Sequence, residues 1–154
     1  MSIEKRLADL GIVLPAPRAP AFSYVPVAVH GDLAWVSGQL PWRGDGSLPQ
    51  GKLGGGLSVA EGKEAARLCI LNGLAVLREA IGSLDRVARV VKLVGFVASA
   101  QGFVEQPAVV DGASSLVGEV FGEAGRHARS AIGVAELPRG VPVEIEFVVA
   151  VAPR

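Results

Sequence analysis

Residues 128–151, ARSAIGVAELPRGVPVEIEFVVAV, contain two segments with the two-residue alternation of β-strands. The first segment runs over Ala128–Ala135 and the second over Pro142–Val151. Leu137-Pro138-Arg139-Gly140 has the proline and glycine of a turn. This stretch therefore predicts two neighbouring strands at the end of the chain.

The alternation also predicts which side chains share a face. Arg129 shares a face with Ala131 and Gly133, whereas Glu144 shares a face with Glu146. The more apolar set is then expected to form the core: Ser130, Ile132 and Val134 with Val143, Ile145 and Phe147. We therefore expect the arginine and both glutamates to point away from the helices, either as ion pairs between subunits or as a binding site.

A long helix is predicted to begin at Ser58, because Ser58 and Glu61 form a capping box. Its apolar stripe continues to about Ala80, and Gly82 is placed to end it. Cys69 lies near that stripe and is expected to be a buried structural thiol.

Two further helices are predicted. Pro107 suits the first turn of a helix over about residues 107–122. Apolar residues at helical spacing predict a short helix over residues 2–10, and a Pro/Ala-rich linker follows over residues 15–20.

The remaining strands complete a mixed sheet. Phe22–His30 and Leu33–Ser37 predict a hairpin, in which Trp35 is expected to be core. Arg86–Ala98 is β-branched, and the glycine-rich loop over residues 43–56 has room for one short strand. The order β-β-(β)-α-β-α-β-β predicts an α+β fold with two helices packed on one face of the sheet.

The predicted strand Arg86–Ala98 is apolar on both faces. Strict alternation places Val91 with Leu93, and Val90 with Val94. Two helices cover only one face of a sheet, so a second copy of the chain is the simplest cover for the other.

Composition limits the classes of function. The 154 residues suit one domain, with an N-terminal helix and linker in residues 1–20 and a core over residues 22–152. Fifteen basic and fifteen acidic residues cancel, which disfavours a nucleic-acid partner. No signal-peptide or membrane-spanning pattern is present, and with a single cysteine we expect a cytoplasmic protein without a membrane partner.

The segment HARSAIGVAELPRGVPVEIEF, residues 127–147, resembles the C-terminal signature of the RidA (YjgF-type) family of reactive imine/enamine deaminases. VSGQLP, residues 36–41, resembles the family's Ser-Gly-Gln loop, and Tyr24 precedes it at about the family's tyrosine position. The resemblance covers roughly residues 22–152 and indicates a divergent branch, formerly labelled endoribonuclease L-PSP-like.

The resemblance implies a chorismate-mutase-like homotrimer with three clefts between subunits. It implies hydrolysis of small 2-imino or enamino acids to 2-keto acids and ammonia, with no cofactor and no metal. Arg129 would bind the substrate carboxylate and Glu144 would position the water. Tyr24 and Gly38 would line the cleft.

Two positions depart from the family and one is additional. Ala131 stands where the family commonly has cysteine, and Pro107 where it often has asparagine. Both are expected beside the substrate. His127 has the strand parity of Arg129 and either enters the cleft or caps and faces solvent. Arg126 and Arg139 are interpreted as surface charges.

These observations leave three functions in order. The first is an imine deaminase, and the second is a trimer that binds a small carboxylate metabolite such as a 2-keto acid without turnover. The third, RNA cleavage or translation inhibition, is disfavoured by the zero net charge.

Overall fold

A computed structural model describes residues 1–153, which form three α-helices and seven β-strands. The helices are α1 (Ile3–Asp9), α2 (Val59–Ile81) and α3 (Gln106–Phe121). The strands are β1 (Val27–His30), β2 (Leu33–Gln39), β3 (Lys52–Leu53), β4 (Gly56–Leu57), β5 (Val87–Ala98), β6 (Ala128–Val134) and β7 (Val143–Val151).

Five strands form one mixed sheet in the order β1-β2-β7-β5-β6, and β3 pairs with β4 beside it. All neighbours in the large sheet are antiparallel except β5 and β6, which are parallel and joined through α3. The predicted mixed sheet with two long helices on one face is confirmed. No helix within residues 1–153 is long and apolar enough to cross a membrane.

The helix boundaries follow the local signals. The Ser58–Glu61 capping box is formed at the start of α2, and Gly82 follows the helix with φ 89°, a conformation that glycine adopts freely. α2 packs over β2 and β7, whereas α3 packs over β5 and β6. Together they bury the helix-facing side of the sheet.

The two long helices cross closely at Gly112 of α3. A Cβ atom at this position would collide with the backbone carbonyl of Lys63 in α2. Only glycine therefore permits this backbone-to-backbone approach, which brings both helices down onto the sheet.

Cys69 lies fully buried between α2 and β7, as predicted, and its thiol donates to the carbonyl of Val143 at 3.5 Å. Burial in apolar surroundings, reinforced by the charge of Glu144, raises the pKa of the Cys69 thiol well above its ordinary value. The thiol is therefore inert in the folded chain.

The N-terminal helix is part of the same hydrophobic core. Ile3 and Leu7 of α1 are buried, and the Asp85 carboxylate accepts hydrogen bonds from the backbone N–H groups of Ile3 and Glu4. In return, the Glu4 carboxylate accepts from the N–H of Leu84 at 3.0 Å. These contacts anchor the beginning of the chain.

Strict alternation along β5 was wrong. The pairing of β5 with β7 shifts register between Val87 and Arg89 and again between Val90 and Lys92. Each shift adds a residue on the β5 side, so Val90 is buried and Val91 is exposed, the reverse of simple parity with Leu93. β1 also begins only at Val27, five residues later than predicted.

The predicted faces of β6 were also wrong. β6 pairs with β5 so that Arg129 lies beside Leu93, a fully buried residue on the helix side. Arg129, Ala131 and Gly133 consequently face the helices, while the alternate residues, Ile132 among them, face away. The more apolar set does not mark the chain's own core, because the edge strand presents it to the side without helices.

The side of the sheet without helices, here called the open face, is largely apolar. Trp35, predicted as core, lies on this face and is 53% exposed, paired across the strands with Val148. Ile132 is also exposed there, at the far edge of the sheet. An apolar surface of this extent is typical of an interface.

We predict opposite effects of alanine at two glycines of α3. Gly112→Ala should destabilise the fold by about 1–3 kcal/mol because the added Cβ meets backbone of α2. Gly118→Ala should stabilise it by up to about 1 kcal/mol, since nothing lies within 4 Å of its Cβ position and alanine favours helix. Urea unfolding of both variants measures the difference, and equal effects would contradict the close crossing.

Candidate functional site

A cavity of about 710 Å³ opens beside Glu144. Glu144 projects from β7 into it, and Tyr24 and Gly38 also line it. Three of the residues predicted at the site are therefore brought together within one chain. Trp42, which follows the Ser-Gly-Gln loop, forms part of the same lining.

Gly38 makes room for the Glu144 carboxylate. A Cβ atom on Gly38 would lie 2.8 Å from Oε1 of Glu144, closer than real Cβ contacts. β2 also shifts its register against β7 between Val36 and Gln39, where Gly38 lies. The carboxylate therefore packs directly against backbone, and any side chain at Gly38 would displace it.

The environment of Glu144 disfavours its ionised form. Desolvation by burial is the larger cause, and the like charge of Glu146 is the second, and together they raise the pKa of Glu144 above its ordinary value of 4.5. A carboxylate with a raised pKa is a stronger proton acceptor, which suits a general base.

Arg129 lies on the other face of the sheet, held by α3. Its Nη1 donates to Asp111 Oδ1 at 2.6 Å and to Ser114 Oγ at 3.2 Å, and its Nη2 donates to the carbonyl of Pro107 at 3.3 Å. Pro107, Asp111 and Ser114 are spaced by four and three residues, so one stripe of the helix provides all three acceptors. The guanidinium is thereby fixed in place.

His127 is connected to Arg129 through Ser114. His127 Nδ1 lies 2.6 Å from the carbonyl of Gly125, and Nε2 lies 2.9 Å from Ser114 Oγ. Because a carbonyl only accepts, Nδ1 carries the hydrogen, and in the neutral ring Nε2 accepts from the serine hydroxyl. His127 is thus half-buried beside the arginine rather than solvated.

The predicted site residues consequently form two separate groups. Tyr24 and Gly38 lie with Glu144, whereas Pro107 and His127 lie with Arg129. Ala131 is the neighbour of Arg129 on the helix-facing side of β6, paired with Gly95. β6 and β7 are separated by β5, which places the two groups about 10 Å apart as well as on opposite faces.

Several polar residues at these two places were not predicted. Asp111 and Ser114 could have been found from their spacing to Pro107 on one helix stripe. Arg18 and Arg139, the latter interpreted as a surface charge, line the cavity of Glu144, and no local pattern indicates this. Residues 1–153 contain no group of three or more His, Cys, Asp or Glu side chains suited to hold a metal ion.

The chain is similar to proteins of known sequence and structure over almost its whole length. It is 49% identical over 148 residues to Protein TCP17 of Trypanosoma cruzi, covering 96% of this chain and 92% of that protein. The crystal structure of Atu1372 from Agrobacterium tumefaciens shares 46% identity and a TM-score of 0.87, covering 97% and 94% of the two chains.

A Shewanella oneidensis MR-1 structure described as a "putative endoribonuclease" shares 36% identity and a TM-score of 0.93, covering 98% of this chain and 100% of that one. Residues 4–141 match the family described as "YjgF/chorismate_mutase-like, putative endoribonuclease". This match spans most of the chain and agrees with the resemblance at residues 36–41 and 127–147. The chain belongs to the YjgF/chorismate mutase-like family, and its fold is that of this family.

Proposed function

We propose that this protein is a homotrimeric, metal-independent deaminase that hydrolyses small reactive 2-imino or enamino acids to 2-keto acids and ammonia. Arg129 binds the substrate carboxylate, and Glu144 activates the attacking water. The observation that carries the proposal is the guanidinium of Arg129, which is fixed by α3 and yet keeps donors for a ligand.

A guanidinium has five N–H groups, and three of those on Arg129 have acceptors. Both hydrogens of Nη1 are used, whereas the Nε hydrogen and one Nη2 hydrogen have no acceptor among residues 1–153. Two parallel donors on neighbouring nitrogens match the two oxygens of a carboxylate. The contacts with Asp111 and Ser114 reduce the ordering that binding requires.

The proposed site lies between subunits. Arg129 and Glu144 belong to opposite faces of one sheet, so a single chain does not bring them to one substrate. The apolar open face supports assembly of further copies on that side, and the family resemblance supports three. Each cleft would then combine Arg129 of one subunit with Glu144 of the next.

The reaction needs only water as a second reactant. Arg129 holds the carboxylate and so fixes the imine carbon, and an enamine first becomes the imine by protonation at carbon. Glu144 accepts a proton from water while the oxygen attacks the imine carbon and the nitrogen is protonated. The resulting carbinolamine expels ammonia and leaves the 2-keto acid.

Ala131 and Pro107 favour one alternative, a trimer that binds a 2-keto acid or similar metabolite without turnover. At these positions alanine and proline lack the thiol and the amide that relatives commonly supply, and Pro107 offers only its carbonyl, which already accepts from Arg129. Endoribonuclease activity, named in the family description, is the less favoured function because the chain carries no net charge.

We predict that wild type accelerates ammonia release from 2-iminopropanoate and 2-iminobutanoate, generated in place by an amino-acid oxidase. Arg129→Ala and Glu144→Ala should each lower kcat/KM by about 100-fold, since one removes the carboxylate contact and the other the base. Arg126→Ala is the matched control, because that exposed arginine pairs only with Glu123. No acceleration by wild type would contradict the deaminase, and keto-acid binding that requires Arg129 would then favour the metabolite-binding alternative.

We predict that hybrid trimers regain activity that neither variant has alone. Arg129→Ala and Glu144→Ala chains with different tags are co-expressed, and trimers carrying both tags are purified and their mass is measured. In a closed ring of three, about one site in three then joins an intact Arg129 to an intact Glu144, so about a third of wild-type activity should return. A hybrid as inactive as the single variants would place both residues in one chain and contradict the site between subunits.

We predict that Glu146→Gln extends activity to lower pH. Glu144 must be ionised to accept a proton, so kcat/KM falls as pH falls through the pKa of Glu144. Removing the like charge of Glu146 lowers that pKa and moves the acid limb of the profile downward. Carbon-13 NMR titration of the carboxylates checks the shift directly, and an unchanged acid limb would argue against Glu144 as the base.

A further inference from the structure

Two arginines that have no role in the proposed reaction lie against one aromatic ring at the Glu144 cavity. The Cζ atom of Arg18 lies 3.9 Å from the ring centroid of Trp42, and that of Arg139 lies 5.3 Å from it. All three residues line the cavity, although they come from the N-terminal linker, the loop after β2 and the turn before β7.

Neither guanidinium has an ion-pair or hydrogen-bond partner in the part of the chain that the structure describes, residues 1–153. A guanidinium stacked on an aromatic ring directs its N–H groups outward in its own plane. Arg18 and Arg139 therefore keep their hydrogen-bond donors while their positions are restricted by Trp42. Glu144 and Glu146, which line the same cavity, do not pair with them.

The ring that positions these arginines is itself held firmly. Asn72 of α2 is 5% exposed, and its Nδ2 donates to the carbonyl of Trp42 at 3.0 Å and to that of Leu68 at 2.8 Å. Asn72 is the one polar residue among the buried positions of residues 1–153. The loop that carries Trp42 is thus tied to the long helix under the cavity.

Arg139 occupies an unfavourable backbone conformation. Its φ of 58° and ψ of 15° are left-handed, and among residues 1–153 it is the one residue other than glycine with positive φ. The N–H of Gly51 donates to the neighbouring Gly140 carbonyl at 3.0 Å and holds this turn. Glycine would relieve the strain, so the arginine side chain at this position points to a use that the backbone alone does not require.

The cavity is also larger than a three-carbon imino acid needs. Its volume of about 710 Å³ falls in the range of pockets that enclose much larger ligands. A ligand that reacts beside Glu144 therefore leaves space toward Trp42. The charges that border this space, at Arg18 and Arg139, are positive.

We propose that Arg18 and Arg139, positioned on Trp42, form a subsite for a second carboxylate, so that the preferred substrates are 2-imino dicarboxylates. This rests on the proposed function, since the first carboxylate is bound by Arg129. An arginine pair with open N–H edges forms charge-assisted hydrogen bonds with a carboxylate, whereas a methyl group at the same place leaves both unpaired.

The test compares ligands of equal length that differ only at the far end. Affinities for 2-oxoglutarate and 2-oxopentanoate are measured by calorimetry, and kcat/KM is measured for 2-iminoglutarate and 2-iminopentanoate. Wild type should prefer the dicarboxylate by about tenfold or more in both measurements. In Arg18→Ala, Arg139→Gly and the double variant, the preference should fall toward one.

The variants are chosen so that folding does not confuse the result. Arg139→Gly relieves a left-handed backbone, and Arg18 lies in an exposed linker. Arg43→Ala is the matched control, because that exposed arginine follows Trp42 directly but lies outside the cavity and donates to Ser47. Its dicarboxylate preference should equal that of wild type.

The outcomes separate this subsite from the deaminase. Equal or undetectable binding of the two keto acids, or a preference that survives the double variant, overturns the subsite even where imines are hydrolysed. A dicarboxylate preference that requires Arg18 and Arg139, without turnover of any imine, supports the subsite and overturns the deaminase. A preference lost equally in Arg43→Ala reduces the effect to general charge and also overturns the subsite.

Discussion

The five-stranded sheet has helices on only one face, and this constraint decides where each functional side chain lies. The pairing of β6 with β5 turns Arg129 toward α3, where three acceptors on one helix stripe receive it. The antiparallel pairing of β7 turns Glu144 the other way, into the cavity beside Gly38. A cation and a carboxylate are thus separated by the sheet itself, which prevents them from neutralising each other within one chain.

Local signals predicted most of the elements of this fold. The capping box at Ser58, the glycine at Gly82 and Pro107 each depend on residues within one helical turn, so the helix ends followed the sequence closely. The faces of β6 failed for a different reason. Apolar content marks a surface that becomes buried but does not say whether the same chain buries it, and Trp35 misled in the same way.

The site was only partly predictable. The grouping of Tyr24 and Gly38 with Glu144 came from resemblance and holds in the structure. The separation of Arg129 from Glu144 required the register of a parallel strand pair, which depends on contacts distant in sequence. The position of Arg18 beside Trp42 was equally inaccessible, because the proline-rich linker lacks the periodicity that would indicate where it packs.

The single cysteine gives the molecule a natural reporter of its own opening. Cys69 is sealed between α2 and β7, and its raised pKa leaves almost no reactive thiolate in the folded state. A thiol reagent can therefore modify the chain only during moments when α2 lifts from the strand that carries Glu144. The rate of that modification would follow the breathing of the wall behind the cavity, residue by residue in no other place, without any label having to be introduced.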